Sequence, residues 1–332
     1  MSQVLLRAWT RRGLLARVLW PLSMMVRGLV AFRRLLYRMG VFATHRLPVP
    51  VVVVGNVVAG GAGKTPVTLA LLEHLAARGL RGGVVSRGYG RSASGCAEVT
   101  MASSPGQAGD EPLLIARRAR VPVFVGSDRA AAARALLDAH ADVQVILSDD
   151  GLQHLAMARD IEICVFDQRG TGNGWLLPAG PLREPWPRPV DLIIHSASPP
   201  AFAGWRARRA LARHAVRADG RTTALSALAG VPLTAVAGIA QPAAFFAMLR
   251  EQGLLLDEEL ALPDHADFSV TGPALRSAGT LVCTEKDAAK LWQHRPDAWA
   301  VPLQVTLDEG LLRAFDALLD AKLSLPHGPQ TT

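Results

Sequence analysis

The residues with the plainest chemistry lie between positions 58 and 65, Val-Ala-Gly-Gly-Ala-Gly-Lys-Thr. Glycines let backbone N–H groups close around phosphate oxygens, and a lysine at the end of such a loop brings a positive charge to the β- and γ-phosphates. A threonine hydroxyl beside it can ligate Mg²⁺. Val58, Ala59, Gly60, Gly61, Ala62, Gly63, Lys64 and Thr65 are therefore expected to bind a nucleotide, with Lys64 also taking part in catalysis. The strict pattern G-x-x-x-x-G-K-S/T has a glycine where Val58 stands, and the Gly60–Gly61 pair is expected to supply the missing flexibility. Both flanks suit the loop. Residues 49–58 are a β-branched apolar run typical of a buried parallel strand. Residues 66–78 follow with a helical pattern whose N-terminus would point at the phosphates.

A second apolar run, Ile146-Leu147-Ser148, ends in Asp149-Asp150-Gly151. Acids at the end of such a strand hold Mg²⁺ directly or through water, so Thr65, Asp149 and Asp150 are the candidate metal residues. The pattern leaves open which aspartate is the direct ligand. Asp110 and Glu111 open a helical stretch before Pro112. Asp110 reads equally as an acid that accepts an alcohol's proton or as a helix cap. Arg183 and Glu184 sit in a Pro/Gly-rich loop, 178–185, which suits either a functional loop or a surface ion pair. Two other nucleotide-binding classes fit poorly. A partitioning-type ATPase has a lysine where Ala59 stands, and Thr284-Glu285-Lys286-Asp287 has the wrong order to read guanine. A kinase, a regulatory ATPase and a nucleotide-binding membrane scaffold remain.

These segments together resemble the tetraacyldisaccharide 4'-kinase family of lipid A biosynthesis. The resemblance is carried by Val54-Gly55-Asn56, Gly60–Pro66, Ser86-Arg87-Gly88-Tyr89-Gly90-Arg91, Gly109–Pro112 and Val125–Arg129. It continues through Asp149–His154, Gly180–Glu184, Pro263-Asp264-His265 and Thr284–Ala288, so it spans residues 54 to 288 in the family's order. Leu152 stands where the family often has an aromatic, and Ala266 where it often has a second histidine. The resemblance implies ATP and Mg²⁺ as cofactors and an acylated glucosamine disaccharide 1-phosphate as acceptor, phosphorylated on its 4'-hydroxyl. It implies Asp110 as the base and His265 as the group that orients it. It places Glu111, Arg129, His154, Arg183 and Glu184 with the substrate.

The elements that must position these residues alternate along the chain. Strands are expected at 49–55, 82–86, 97–101, 122–125, 143–148, 161–166 and 190–195, and helices at 66–78, 110–119, 128–140 and 204–214. That is an α/β fold, a doubly wound P-loop NTPase sheet spanning 48–218. A polar stretch at 215–222 reads as a linker. A smaller C-terminal α/β domain, 219–332, is expected to hold strands at 233–237, 280–283 and 300–305 and helices at 241–251, 286–292 and 308–322. The tail from Ser324 reads as frayed.

Charge sets the N-terminus apart. The chain of 332 residues carries a formal +8, yet its first fifty residues hold nine arginines and no acid, leaving −1 on residues 51–332. A near-neutral body of this kind argues against nucleic acid as a partner. Residues 1–47 read as a basic amphipathic helical arm broken near Pro21 and Gly40. Its interleaved arginines leave no uncharged run near the ~20 residues of a bilayer span. Trp, Phe and Leu among arginines suit an anionic membrane surface. Three well-separated cysteines and the use of ATP point to a reducing compartment. The resulting expectation is a peripheral or monotopic monomer at the cytoplasmic face of the inner membrane.

Overall fold

Four consecutive valines, Val51–Val54, have branched side chains that favour extended backbone and no polar group to satisfy, and they form the fully buried strand β1 (Val51–Gly55). The rest of the fold is arranged around it in a computed structural model that describes residues 8–196, 202–264, 266, 268, 272 and 279–324. Before β1 comes helix α1 (Leu14–Arg38). After it, α2 (Lys64–Ala77), β2 (Gly82–Ser86), β3 (Ala97–Glu98), α3 (Pro105–Ala108), α4 (Asp110–Ala119), β4 (Val123–Val125), α5 (Arg129–Ala139), β5 (Val145–Asp149), β6 (Ile161–Phe166), β7 (Leu192–His195) and β8 (Trp205–Leu211) follow in turn. The remaining elements are β9 (His214–Val216), β10 (Thr222–Ala224), β11 (Leu233–Ala237), α6 (Pro242–Glu251), β12 (Leu256–Ala261), β13 (Thr280–Thr284), α7 (Glu285–Leu291), β14 (Trp299–Val301), β15 (Leu303–Leu307) and α8 (Glu309–Leu323).

The strands form two sheets, in the orders β15-β8-β7-β6-β1-β5-β2-β4-β3 and β10-β9-β14-β13-β11-β12. In the first, β1 runs parallel to β5 and β6 on either side, and Val54 pairs with Asp149. That register sets the chain leaving β1 level with the chain leaving β5, so the glycine-rich loop and the paired acids emerge together. Helices cover both faces. One core holds Leu71, Leu75, Leu113, Leu147 and Phe315, bringing α2, α4 and α8 onto one face. The other holds Ala133, Leu136, Ile146, Leu152 and Leu182, bringing α5 and the loop at 176–182 onto the opposite face. The second sheet has its own cores around Phe245 and Leu249 and around Phe268 and Leu291.

Four expectations need correction. Residues 204–214 form strand β8, not a helix. Arginine and alanine favour helix, but Ala207 and Leu211 are buried and Arg209 is half-buried while their neighbours are exposed. That is the alternation of a strand, and β8 is held parallel to β7 and antiparallel to β15. Tertiary pairing outweighs propensity here. Residues 214–224 are not a linker but the β9–β10 hairpin of the second sheet. The expected strand at 300–305 splits at Pro302: β14 belongs to the second sheet, while β15 and α8 return to the first. The two crossings are tied together, because the Ala212 amide donates to the Pro302 carbonyl at 2.8 Å. Finally, α1 runs unbroken through Pro21 and ends before Gly40, whose φ is +73°. Strand β12 had no counterpart in the expected elements. The tail beyond Ser324, His265 and the first seven residues of the arm lie outside the described residues.

Helix α1 is long and apolar enough, by length and composition alone, to cross a membrane. Its exposed apolar residues Leu14, Val18, Leu22, Met25, Leu29 and Phe32 recur every three or four positions, which draws one stripe along the helix. Its opposite side docks on the protein, with Ala16 and Ser23 buried.

A Cβ added to Gly55 would lie 2.6 Å from Cγ of Leu152, the fully buried side chain that follows the Asp149–Asp150 turn. Gly55→Ala is therefore expected to push that turn outward and to lower the unfolding free energy by about 1–3 kcal/mol, read from urea melts. A midpoint equal to wild type would show that Leu152 yields at no cost.

Candidate active site

The glycine-rich loop leaves β1 and is held from behind before it turns into α2. Val58 bridges to Leu182, and the Ala59 amide donates to the Pro181 carbonyl at 2.8 Å. Asn56 spans the loop's entry by donating to the Val58 carbonyl at 2.7 Å. The backbone freedom expected of the glycine pair appears at Gly60, with φ +95°, and again at Gly63, with φ +81°. Val58, by contrast, is buried and paired. A side chain at Gly63 would collide with the Arg209 guanidinium, which donates to the Ala62 carbonyl at 2.7 Å. Arg169, fixed by Asp167, donates to the Gly61 carbonyl at 3.0 Å. Two cations thus hold the loop by its carbonyls.

Lys64 and Thr65 open α2 and are both buried. The Thr65 hydroxyl donates to one oxygen of Asp149 at 3.1 Å, and Thr68, about one helical turn onward, donates to the other at 3.1 Å. Asp149 is fully buried, and that burial, reinforced by the nearby charge of Glu111, pushes its carboxyl up to about 7 against the pull of Lys64. Asp150 sits in the left-handed region, with φ +53°, which turns its carboxylate away from its neighbour's. One nitrogen of Arg183 reaches both Asp150 oxygens, at 3.0 and 3.1 Å, and the Lys64 ammonium lies 3.6 Å from the nearer oxygen. Burial would raise the Asp150 carboxyl, but Lys64 and then Arg183 outweigh it and hold it below the usual carboxylate range. The two adjacent acids therefore carry different protonation tendencies, each set by its own partners.

Beside the loop a cavity of about 580 Å³ opens between the two sheets. Gly61, Gly63, Lys64 and Thr65 line it on one side, Ile239, Phe245 and Met248 on the other. Val58, Ala59, Gly60 and Ala62 shape the loop without lining the cavity. Glu111 and Asp264 face into it, and Lys286 reaches both, at 3.6 and 3.1 Å. Burial alone would lower the Lys286 ammonium; Glu111 and Asp264 raise it above the ordinary lysine value.

Asp110 is the first residue of α4 and does not cap it, since Gly109 occupies the cap position. Its carboxylate is nearly buried and meets the Lys290 ammonium at 2.7 Å. Lys290 comes from α7, so the second sheet supplies a cation to the first sheet's acid. Arg183 and Glu184 do not pair with each other. Glu184 is buried, accepts from Gln153 at 2.8 Å and is ion-paired with Arg34 of α1. Arg129 is buried near Asp150, and burial lowers its guanidinium below the ordinary value. Burial and then Arg129 push the His154 imidazole down to about 4. Nε of Arg129 and Nε2 of His154 are buried with no hydrogen-bond partner among the described residues.

The structure thus brings Lys64, Thr65, Asp149, Asp150 and Arg183 into contact, with Glu111 and Arg129 close by. Glu184 and His154 stand behind them, and Asp110 lies at the junction of the sheets. The sequence reading missed Thr68, Arg169, Arg209, Lys290 and Arg34. A partial signal existed for Lys290, which stands one helical turn after Lys286 on a helix opened by Thr284. For Arg34, Arg169 and Arg209 there was none, because each reaches its partners from a distant part of the chain.

Comparison with known proteins accords with this geometry. The family model for LpxK, tetraacyldisaccharide-1-P 4'-kinase, matches residues 15–323. The tetraacyldisaccharide 4'-kinase of Acidovorax sp. (strain JS42) is 55% identical over 329 residues, 98% of this chain and 97% of its own length. That of Polaromonas naphthalenivorans (strain CJ2) is 55% identical over 344 residues and 100% of both chains. The crystal structure of LpxK from Aquifex aeolicus in complex with ATP superposes with a TM-score of 0.80 at 29% identity, covering 92% of this chain and 100% of that one. Matched over residues 15–323 by the family model and over nearly its whole length by these relatives, the chain belongs to the tetraacyldisaccharide-1-P 4'-kinase family and is an ATP-dependent phosphotransferase.

Proposed function

We propose that the chain moves the γ-phosphoryl group of ATP to the 4'-hydroxyl of a tetraacyldisaccharide 1-phosphate in lipid A biosynthesis, at the cytoplasmic face of the inner membrane. The observation that carries this reading is the cavity between the sheets, with the phosphate loop on one wall and Glu111 and Asp264 facing in. Phosphoryl transfer calls for positioning and charge neutralisation more than for covalent chemistry. Lys64 and the loop amides neutralise the β- and γ-phosphates, and Arg209 and Arg169 brace the loop through its carbonyls. The residues also fit Mg²⁺. Among the described residues no cluster of three or more His, Cys, Asp or Glu forms a cage. Mg²⁺ is typically held instead by one or two carboxylates together with substrate phosphates, and the Thr65 hydroxyl beside Asp149 and Asp150 provides such a set. When bound, it would offset charge on the transferring phosphate.

Asp110 accepts the proton of the 4'-hydroxyl as that oxygen bonds to the γ-phosphorus and the bond to the β-phosphate oxygen breaks, releasing ADP. Lys290 at 2.7 Å holds the carboxylate in place from across the junction. By the family resemblance, His265 orients Asp110 from the same side. The Nε of Arg129, buried with no hydrogen-bond partner among the described residues, is offered to the acceptor's 1-phosphate, because a buried donor without a partner is costly unless a ligand meets it. The exposed apolar stripe of α1, flanked by arginines, rests in the membrane interface from which the acylated sugar emerges.

The test is transfer of labelled γ-phosphate from Mg-ATP to a detergent-dispersed acylated glucosamine disaccharide 1-phosphate, wild type beside Asp110→Ala. Wild type is expected to label the lipid. Asp110→Ala is expected to lose at least about a hundredfold in kcat, the typical share of a positioned base, with ATP binding nearly intact. Labelled free phosphate without labelled lipid would favour a regulatory ATPase instead.

Asp149 gives a second test. Its folded-state carboxyl titrates near 7 against an ordinary 3.8, so between those values the folded chain binds the proton more readily than the unfolded one. The stability this confers is complete below about 3.8 and is lost as the pH rises through about 7. Asp149→Asn is expected to abolish transfer from Mg-ATP and, in melts run in metal-free buffer, to flatten this dependence and to melt above wild type at pH ~8. A variant that melts lower at that pH would mean the carboxylate is welcome where it is buried.

A further inference from the structure

The loop that backs the phosphate site is also the dock for the N-terminal arm. Trp9 donates from its indole to the Pro178 carbonyl at 2.9 Å, and Arg12 to the Asn173 carbonyl at 3.0 Å. Ser23, buried in the docked side of α1, donates to the Leu176 carbonyl at 2.9 Å. Trp20 packs on Trp175 with ring centroids 6.5 Å apart. Further along the same loop, Pro181 and Leu182 hold Ala59 and Val58 of the phosphate loop, and the Arg183 amide donates to the Val57 carbonyl at 2.7 Å.

One side chain of the arm goes beyond this dock. Arg34 is paired with Glu184, whose side chain is only 4% exposed. Glu184 also accepts from Gln153 at 2.8 Å, and Arg183 donates to the other end of the Gln153 amide at 3.4 Å. Arg183 is the residue that grips Asp150, and Asp150 faces Lys64. A continuous polar chain therefore runs from the arm to the phosphate-binding lysine. Without Arg34, Glu184 would be a buried carboxylate whose remaining cation, Arg188, stands at 3.5 Å. Such a group draws new partners, and the nearest donors are Gln153 and, through it, Arg183.

We propose that Arg34 is a positioning residue for phosphoryl transfer: by neutralising Glu184 it fixes Gln153 and Arg183 on Asp150, so that seating of the interfacial helix sets the geometry at the phosphate loop. This rests on the kinase reading above. It differs from a tethering role, in which the arm would only raise the local concentration of acceptor.

Wild type, Arg34→Met and Arg34→Lys would be assayed with labelled ATP and an acceptor dispersed in non-ionic detergent, beside flotation on vesicles of mixed neutral and anionic phospholipid. Arg34→Met is expected to lose about tenfold in kcat, equal to roughly 1.4 kcal/mol of transition-state stabilisation. Its KM for the acceptor and its recovery with vesicles should stay within about twofold of wild type. Arg34→Lys, which keeps the charge without the fork, should regain most of the loss. Should Arg34→Met fail to fold, Arg34→Gln, which removes the charge but keeps a donor, is expected to show the same fall. Wild-type kcat in the charge-removed variant overturns the proposal, and so does a loss shared equally by Met and Lys variants that follows vesicle recovery. Wild type that labels no lipid overturns the kinase reading, and the proposal falls with it.

Discussion

Setting Asp149 and Asp150 side by side at the end of β5 puts one carboxylate wholly out of water with a half-buried one beside it, and neither is left bare. The surrounding structure answers with two different environments. Asp149 receives two threonine hydroxyls from α2, which satisfy its oxygens without supplying charge, so its carboxyl is pushed up. Asp150 turns through a left-handed residue to meet Lys64 and Arg183, so its carboxyl is held down. The requirement fixes much else. Helix α2 must begin where Thr65 and Thr68 face β5, the loop before it must turn with glycines, and the loop at 176–183 must pass close enough to deliver Arg183. A carboxyl pushed up in this way is one that the folded chain holds protonated more readily than water does.

The junction of the two sheets repeats this logic at longer range. Acids on α4, Asp110 and Glu111, face lysines on α7, Lys290 and Lys286, while Arg118 of α4 faces Glu285 of α7 at 3.2 Å. Partly exposed pairs of this kind add little stability, so their value lies in register. Helix α4 is acidic at its start and basic at its end, so sliding α7 along it would set Lys290 or Lys286 toward Arg118. The chain crosses this junction at Ala212 and again at Pro302, where the two crossings are hydrogen-bonded to each other. The second sheet is therefore tied to the first by two adjacent strands of backbone, and its α7 reaches Asp110 from a short distance.

What could be read from the sequence follows from what is local. The phosphate loop, its flanking strand and helix, and the Asp149–Asp150 turn are contiguous, and each segment's own chemistry requires its conformation. Parallel strands β1, β2, β5 and β6 are apolar runs that only burial on both faces explains. Strand β8 misled because Ala207 and Leu211, buried together, fit the spacing of a helix face as well as alternate strand positions. Only pairing with β15, almost a hundred residues later, decides between them. The hairpin at 214–224 misled for a related reason: its polar residues cover the edge of a sheet whose other strands are distant in sequence. Site residues divide in the same way. Lys64, Thr65, Asp149 and Asp150 are motif residues. Arg209, Lys290 and Arg34 act through partners 147 to 180 positions away, and no spacing rule could join them.

The arm gives the remaining constraint its form. Drawing an acylated sugar out of a bilayer costs roughly 0.8 kcal/mol for every methylene exposed, so on the proposed function the enzyme would work where the acceptor lies. A helix that merely dipped into the interface would serve if it were joined to the body by a slack tether. Here α1 is pinned along its length by Ser23, Trp20 and Arg34, while its apolar stripe faces outward. The stripe thus defines the orientation of the whole body relative to a membrane plane. The pinning side is the loop that holds Arg183 on Asp150 and braces the phosphate loop. Under the function proposed above, orientation at a membrane surface and geometry at the phosphate would be set by one joint, and the 4'-hydroxyl of a sugar anchored in that plane would meet the γ-phosphate at a height fixed by the protein.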